Sequence, residues 1–172
     1  MNRSIENAEL PKRYGGAWSH KDIEATGGIP FDDPAEFTSF MRRQPFIAIT
    51  GLTEIDRENL AAAILKRTFS FGFTRYGAYR ARFADAETDM SNTKGFDGEE
   101  FVRELSKEYR TYIMLSLDRV PKLLAQPLRR IFHARRDIGR YTVVTMPSFT
   151  SLANIDESVI DSFIKTCTVV TL

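Results

Sequence analysis

The sequence predicts a three-layer α/β fold built on a parallel sheet. Short apolar runs lacking polar alternation mark strands buried on both faces, amphipathic helical stretches alternate with them, and glycine or proline punctuates the joints. At 172 residues, with 42% apolar and 27% charged residues, the chain can bury a core without covalent staples. Its single cysteine, Cys167, forms no internal disulfide. With no apolar run following Arg3 and Glu6, and none of membrane-spanning length, a cytoplasmic protein without membrane attachment is expected. A formal net charge of +1 means that any polyanion must be met by a local patch.

Residues 1–45 carry Pro11, Gly15, Gly16, Gly27, Gly28, Pro30 and Pro34. That density of breakers predicts an N-terminal arm with short helices, ahead of an α/β domain over 46–172. Within the arm, Asp32 or Asp33 before Pro34 is a helix-start signal, and Phe37, Phe40 and Met41 recur at helical spacing over 34–43. The run 46–50, apolar and partly β-branched, ends in Gly51 and predicts a buried strand. From Arg57 to about Phe71, Leu60, Ala61, Ile64, Leu65 and Thr68 share a helical face.

Tyr79, Ala81 and Phe83 alternate with Arg80 and Arg82 as in an edge strand, residues 84–98 read as loop, and Phe101 and Leu105 open a short helix. Tyr112 to Leu117 predicts a strand. Pro121 opens a helix with Leu124, Leu128, Ile131 and Phe132 on one stripe, and Gly139 ends it. Strands at 141–145 and 168–172 flank a short helix holding Val159, Ile160 and Phe163.

A strand, a glycine turn and a helix is the setting of a phosphate-binding P-loop, G-x-x-x-x-G-K-[ST], in which backbone amides cradle phosphate, lysine neutralises it and the hydroxyl holds Mg²⁺. Laid on this chain, the pattern keeps Gly51 but puts Asp56 at the second glycine, Arg57 at the lysine and Glu58 at the hydroxyl. Two carboxylates would then face the phosphates, which predicts poor nucleotide binding.

The chain resembles the bacterial replicative-helicase loaders of the DnaC type and the related IstB-type transposition ATPases. Leu10-Pro11-Lys12-Arg13-Tyr14 is similar to their entry motif, Leu60 to Ile64 to the helix after the phosphate loop, and Ile131 to Arg135 with Gly139 to Thr145 to a later segment. The resemblance implies an AAA+ base with a five-stranded sheet ordered 5-1-4-3-2 and no separate helical lid. It also marks further losses. Ser116 and Leu117 stand where the family has paired acids, or Asp118 survives alone with Arg119 beside it in a shifted reading. Pro147 or Ser148 takes the sensor position, and Ser162 the arginine finger's. Turnover needs all these parts together, so the expected role is a non-catalytic binding or scaffold protein in DNA replication or a mobile element, with no cofactor. Its partners would be a replicative helicase, single-stranded DNA or copies of itself. Two alternatives stay open: an enzyme of this fold holding a nucleotide or anion through Arg57, and a regulatory module that binds protein only.

Candidate nucleic-acid contacts are Arg129, Arg130, His133 and Arg136 on one helix, with Tyr76, Tyr79, Arg80 and Arg82 interleaving stacking and phosphate-binding side chains. A solvated helix face and a charge-protected edge strand account for the same residues. His20 and His133 lack partners at zinc spacing, and Cys167 reads as a small residue entering a strand.

Overall fold

A computed structural model describes residues 28–51, 53–70, 78–82, 102–103, 106, 112–117, 125–152, 161 and 165–172. Asp33 starts helix α1 (Pro34–Arg43): its Oδ1 accepts the amides of Ala35 at 2.8 Å and Glu36 at 2.9 Å, and Pro34 fills the first helical position, where no amide donor is needed. Phe37 and Met41 then point inward and are fully buried.

The five strands β1 (Phe46–Thr50), β2 (Ala78–Arg82), β3 (Tyr112–Ser116), β4 (Tyr141–Thr145) and β5 (Thr168–Thr171) form one parallel sheet in the order β2-β3-β4-β1-β5. This is the expected order, with β1 inside the sheet and β2 at an edge. All five residues of β1 are buried, as a strand covered on both faces requires. Ile47 and Ile49 face one layer, where they join Val143, Val170, Phe37, Met41, Ile29 and Phe31. Helix α2 (Glu54–Ser70) completes that layer with Leu60, Ala61, Ala63, Ile64 and Leu65.

The opposite face receives α3 (Ala125–Asp137), whose Leu128, Ile131, Phe132 and Arg135 are buried. Phe132 meets Phe46 with ring centroids 5.5 Å apart. Arg135 has no exposed surface; its Nε donates to Thr142 Oγ1 at 2.9 Å and an Nη to the Tyr141 carbonyl at 3.0 Å, pinning the helix to the start of β4. The helix stops where Gly139 adopts φ +62°, with Gly139 N donating to Arg136 O and Arg140 N to Arg135 O, each at 3.0 Å.

One element departs from expectation. α2 starts at Glu54, three residues before the predicted Arg57, because Thr53 and Asp56 cap each other: Thr53 Oγ1 donates to Asp56 Oδ2 at 2.6 Å and accepts from Asp56 N at 3.2 Å. Of the two short helices expected near 101–105 and 156–163, Val102, Arg103 and Asp161 are helical and the rest lies outside the described residues. Residues 121–124 of the helix opened by Pro121, and the Leu10–Tyr14 motif, also lie outside them. No helix among the described residues is long and apolar enough to cross a membrane.

Candidate functional site

In an open α/β sheet, ligands sit beyond the carboxyl ends of the strands, where chain connections diverge. Here β1 leads to β2 on one side and β4 leads to β5 on the other, so the crevice falls between the ends of β1 and β4.

Main-chain hydrogen bonds bridge the ends of these strands. Met146 N donates to Ile49 O at 3.0 Å and Gly51 N to Pro147 O at 3.1 Å, carrying the ladder past both strands. From the β5 side, Leu172 N donates to Thr50 O at 2.9 Å, and the Thr50 and Thr171 hydroxyls lie 3.2 Å apart. Gly51 itself adopts φ +86°, and a Cβ there would stand 2.4 Å from the Leu172 carbonyl oxygen. Only glycine fits both constraints.

Three residues, 51–53, join β1 to α2. A phosphate loop needs the stretch from its first glycine to its lysine as open loop, with amides turned toward the ligand. In this chain the helix occupies the second half of that stretch. Thr53 N donates to Asp56 Oδ2 at 3.3 Å, so the cap is closed by its own side chains. Arg57 is 2% exposed and donates from Nη1 to Gly51 O at 2.6 Å. Glu58 is equally buried. Asp56, expected to face phosphate, instead serves the helix start, and Arg57 turns back onto the glycine.

No family model and no curated protein matches the chain. Solved structures do. The crystal structure of DnaI superposes with a TM-score of 0.66 at 11% identity, covering 95% of this chain and 94% of that one. The DnaC helicase loader gives 0.64 at 14% identity over 94% and 99%. A putative primosome component from Streptococcus pyogenes serotype M3 gives 0.65 at 15% identity over 98% and 94%. This chain has the DnaC-type loader fold.

On the loader fold, the other sequence-derived sites fall as follows. Ser116 ends β3, in register with Arg82 and Thr145, while Asp118, Arg119 and Ser162 lie outside the described residues. Of the two residues expected at the sensor position, Pro147 accepts the Gly51 amide through its carbonyl, and Ser148 Oγ lies 2.6 Å from Thr150 Oγ1. Tyr79, Arg80 and Arg82 are on edge strand β2; Tyr76 is outside the described residues. Arg129, Arg130 and Arg136 are exposed on α3, and His133 between them is half-buried. Arg136 bonds Asp137 Oδ1 at 3.3 Å. Half-buried Cys167 directly precedes β5, and burial pushes its thiol up to about 12, away from nucleophile chemistry.

The β1–α2 turn is held by three residues outside the fixed positions of the phosphate-loop motif, Thr53, Pro147 and Leu172. Thr53 was detectable, since Thr-x-x-Asp is a capping pattern. Pro147 as a main-chain acceptor and Leu172 as the cover of Gly51 carry no local signal, because both act through backbone atoms far away in the chain.

Proposed function

We propose that this chain is a non-catalytic protein of loader fold, acting as a binding or scaffold module in DNA replication or a mobile element. The observation that supports this reading is the three-residue β1–α2 turn, whose glycine is bonded to Pro147 and Arg57 where a nucleotide would lie. The alternative in which Arg57 holds a nucleotide is disfavoured, since its guanidinium is buried and engaged on Gly51.

The partner follows by analogy of fold, which is a weaker warrant than a site. A structural neighbour is a helicase loader, so a replicative helicase is the proposed protein partner, with self-assembly and cytoplasmic location part of the same proposal. The division into an arm over 1–45 and an α/β domain over 46–172, with α1 of the arm packed into the domain's core, and the lack of a helical lid belong to it too. Single-stranded DNA is the proposed polyanion, with phosphate contacts drawn from Arg129, Arg130, His133 and Arg136 and from Arg80 and Arg82, and stacking from Tyr76 and Tyr79.

Thermal melting with and without Mg·ATP tests the first claim. A true site at ligand 100 times Kd adds about 2.7 kcal/mol; the expected shift is nil, and a clear upward shift would overturn the non-catalytic reading.

A further inference from the structure

The parallel sheet ends in two unlike edges. At one, β2 carries Arg80 and Arg82, charges of the kind that discourage a further strand from adding. At the other, β5 is Thr168-Val169-Val170-Thr171, and residues 166–172 contain neither a charged side chain nor a proline. The nearest charged residue before it in sequence, Lys165, is engaged with Asp161 at 3.8 Å. A neutral, β-branched edge is the kind that accepts another strand.

Backbone direction and burial decide which groups this edge offers. In a parallel pair, alternate residues send both amide and carbonyl to the neighbouring strand. Leu172 N donates to Thr50 O, so Thr168 and Val170 face β1, while Val169 and Thr171 turn their peptide groups outward. The side chains of Val169 and Thr171 share one face of the sheet with Ala48 and Thr50, their partners in register. On the other face Val170 is 4% exposed and belongs to the core, whereas Val169 is 42% exposed and Thr171 is exposed as well. Ala48 beside Val169 is fully buried, so the layer covering β1 on this face stops short of β5.

The edge suits a second copy of itself. A two-fold axis normal to the sheet sets one β5 antiparallel to the other and keeps each face of one sheet continuous with the same face of the next. Residues that bond across the axis must then lie on the same face and both point their peptide groups outward. Val169 against Thr171 of the second copy, repeated about the axis, is the register that uses all of these groups within the strand. Each such pair exchanges both of its N–H···O bonds and sets β-branched side chains opposite each other. A strand without charge meets its own copy without repulsion, whereas the same operation at β2 would bring arginines together. We propose that β5 is a self-pairing edge, through which a second copy of this chain extends the sheet across a two-fold axis. The strand is four residues long, so the pairing is reversible and depends on concentration. It gives the self-assembly proposed above its surface and is independent of the nucleotide and nucleic-acid readings.

The test is sedimentation equilibrium in reducing buffer, from micromolar to millimolar protein, with the wild type, Val169→Lys/Thr171→Lys and Val169→Glu/Thr171→Glu. The wild type should show an equilibrium between monomer and dimer. Each double variant should weaken it at least about tenfold, because like charges stand directly opposite in both pairs. An equimolar mixture of the two variants should dimerise again, since lysine then faces glutamate, and this recovery excludes misfolding as the cause of the loss. A wild type that stays monomeric throughout overturns the inference and the proposed self-assembly with it, leaving an extended segment of another protein as the occupant of the edge and the non-catalytic reading standing. A dimer that both variants keep places the interface elsewhere and overturns the inference alone. Variants that fail to recover when mixed overturn the antiparallel pairing of two β5 strands.

Discussion

Arg57 Nη1 lies 2.6 Å from the carbonyl oxygen of Gly51, so the side chain at the phosphate loop's lysine position binds the loop's own glycine. Replacing residues 56–58 with Gly, Lys and Thr therefore does more than repair a motif. The triple variant should gain no melting shift with Mg·ATP, because the turn stays three residues long, and it should lose stability through the missing Gly51 contact and the glycine placed inside a helix, about 1 kcal/mol for the latter. Paired melts with and without nucleotide check both halves.

Gly51→Ala and Gly139→Ala make a second comparison. Both glycines have positive φ, but a Cβ at Gly139 meets nothing within 4 Å, while one at Gly51 stands 2.4 Å from the Leu172 oxygen. Gly139→Ala should cost about 1 kcal/mol from conformation alone. Gly51→Ala should cost clearly more, on the order of 2–4 kcal/mol, since backbone must shift as well. Urea unfolding of the two variants measures the difference.

Thr53→Ala removes both hydroxyl contacts of the cap at the start of α2. The expected loss is about 1 kcal/mol, with no effect on any nucleotide response. Chemical denaturation reads it directly.

Arg135→Met deletes the donors that satisfy Thr142 Oγ1 and the Tyr141 carbonyl in a site without solvent. We expect a loss of about 2–4 kcal/mol. Arg135→Lys should rescue little, because an ammonium cannot reproduce the planar fork that reaches both acceptors. Equilibrium unfolding of both variants tests this.

The Cys167 thiol, raised by burial from 9.0 to about 12, stays protonated in the folded chain well above the pH at which the unfolded chain ionises. Stability is therefore independent of this group below about pH 9 and falls as pH rises toward the folded value. Alkylation at pH 8 should be slower in the native than in the denatured protein by up to about a thousandfold on thiolate population alone. Reaction at an unfolded-like rate in native buffer is the contrary result.

Legibility of the fold followed locality. The Asp33-Pro34 start and the Phe37/Met41 spacing place α1 to the residue, and the unbroken apolar runs place β1 and β4, because cap chemistry and burial on both faces are written in adjacent residues. The sheet order came from family resemblance, since alternation of strands and helices leaves order open. At α2 a long motif template outweighed the Thr53-Asp56 cap, and the shorter signal was the physical one. The approach of Leu172 to Gly51 arises from parallel pairing of β1 with β5, between segments far apart in the chain. No window of sequence contains it.

Phe37 and Met41 have no exposed surface, and they share one core with Ile47, Ile64 and Val170. The smallest fragment worth expressing, or joining to a fusion partner, consequently begins before Ile29. A cut at Pro45 would strip the sheet of side chains whose burial stabilises it by about 1.5–3 kcal/mol each. It would also leave a greasy face free to stick to its neighbours, so the product should be recovered as aggregate.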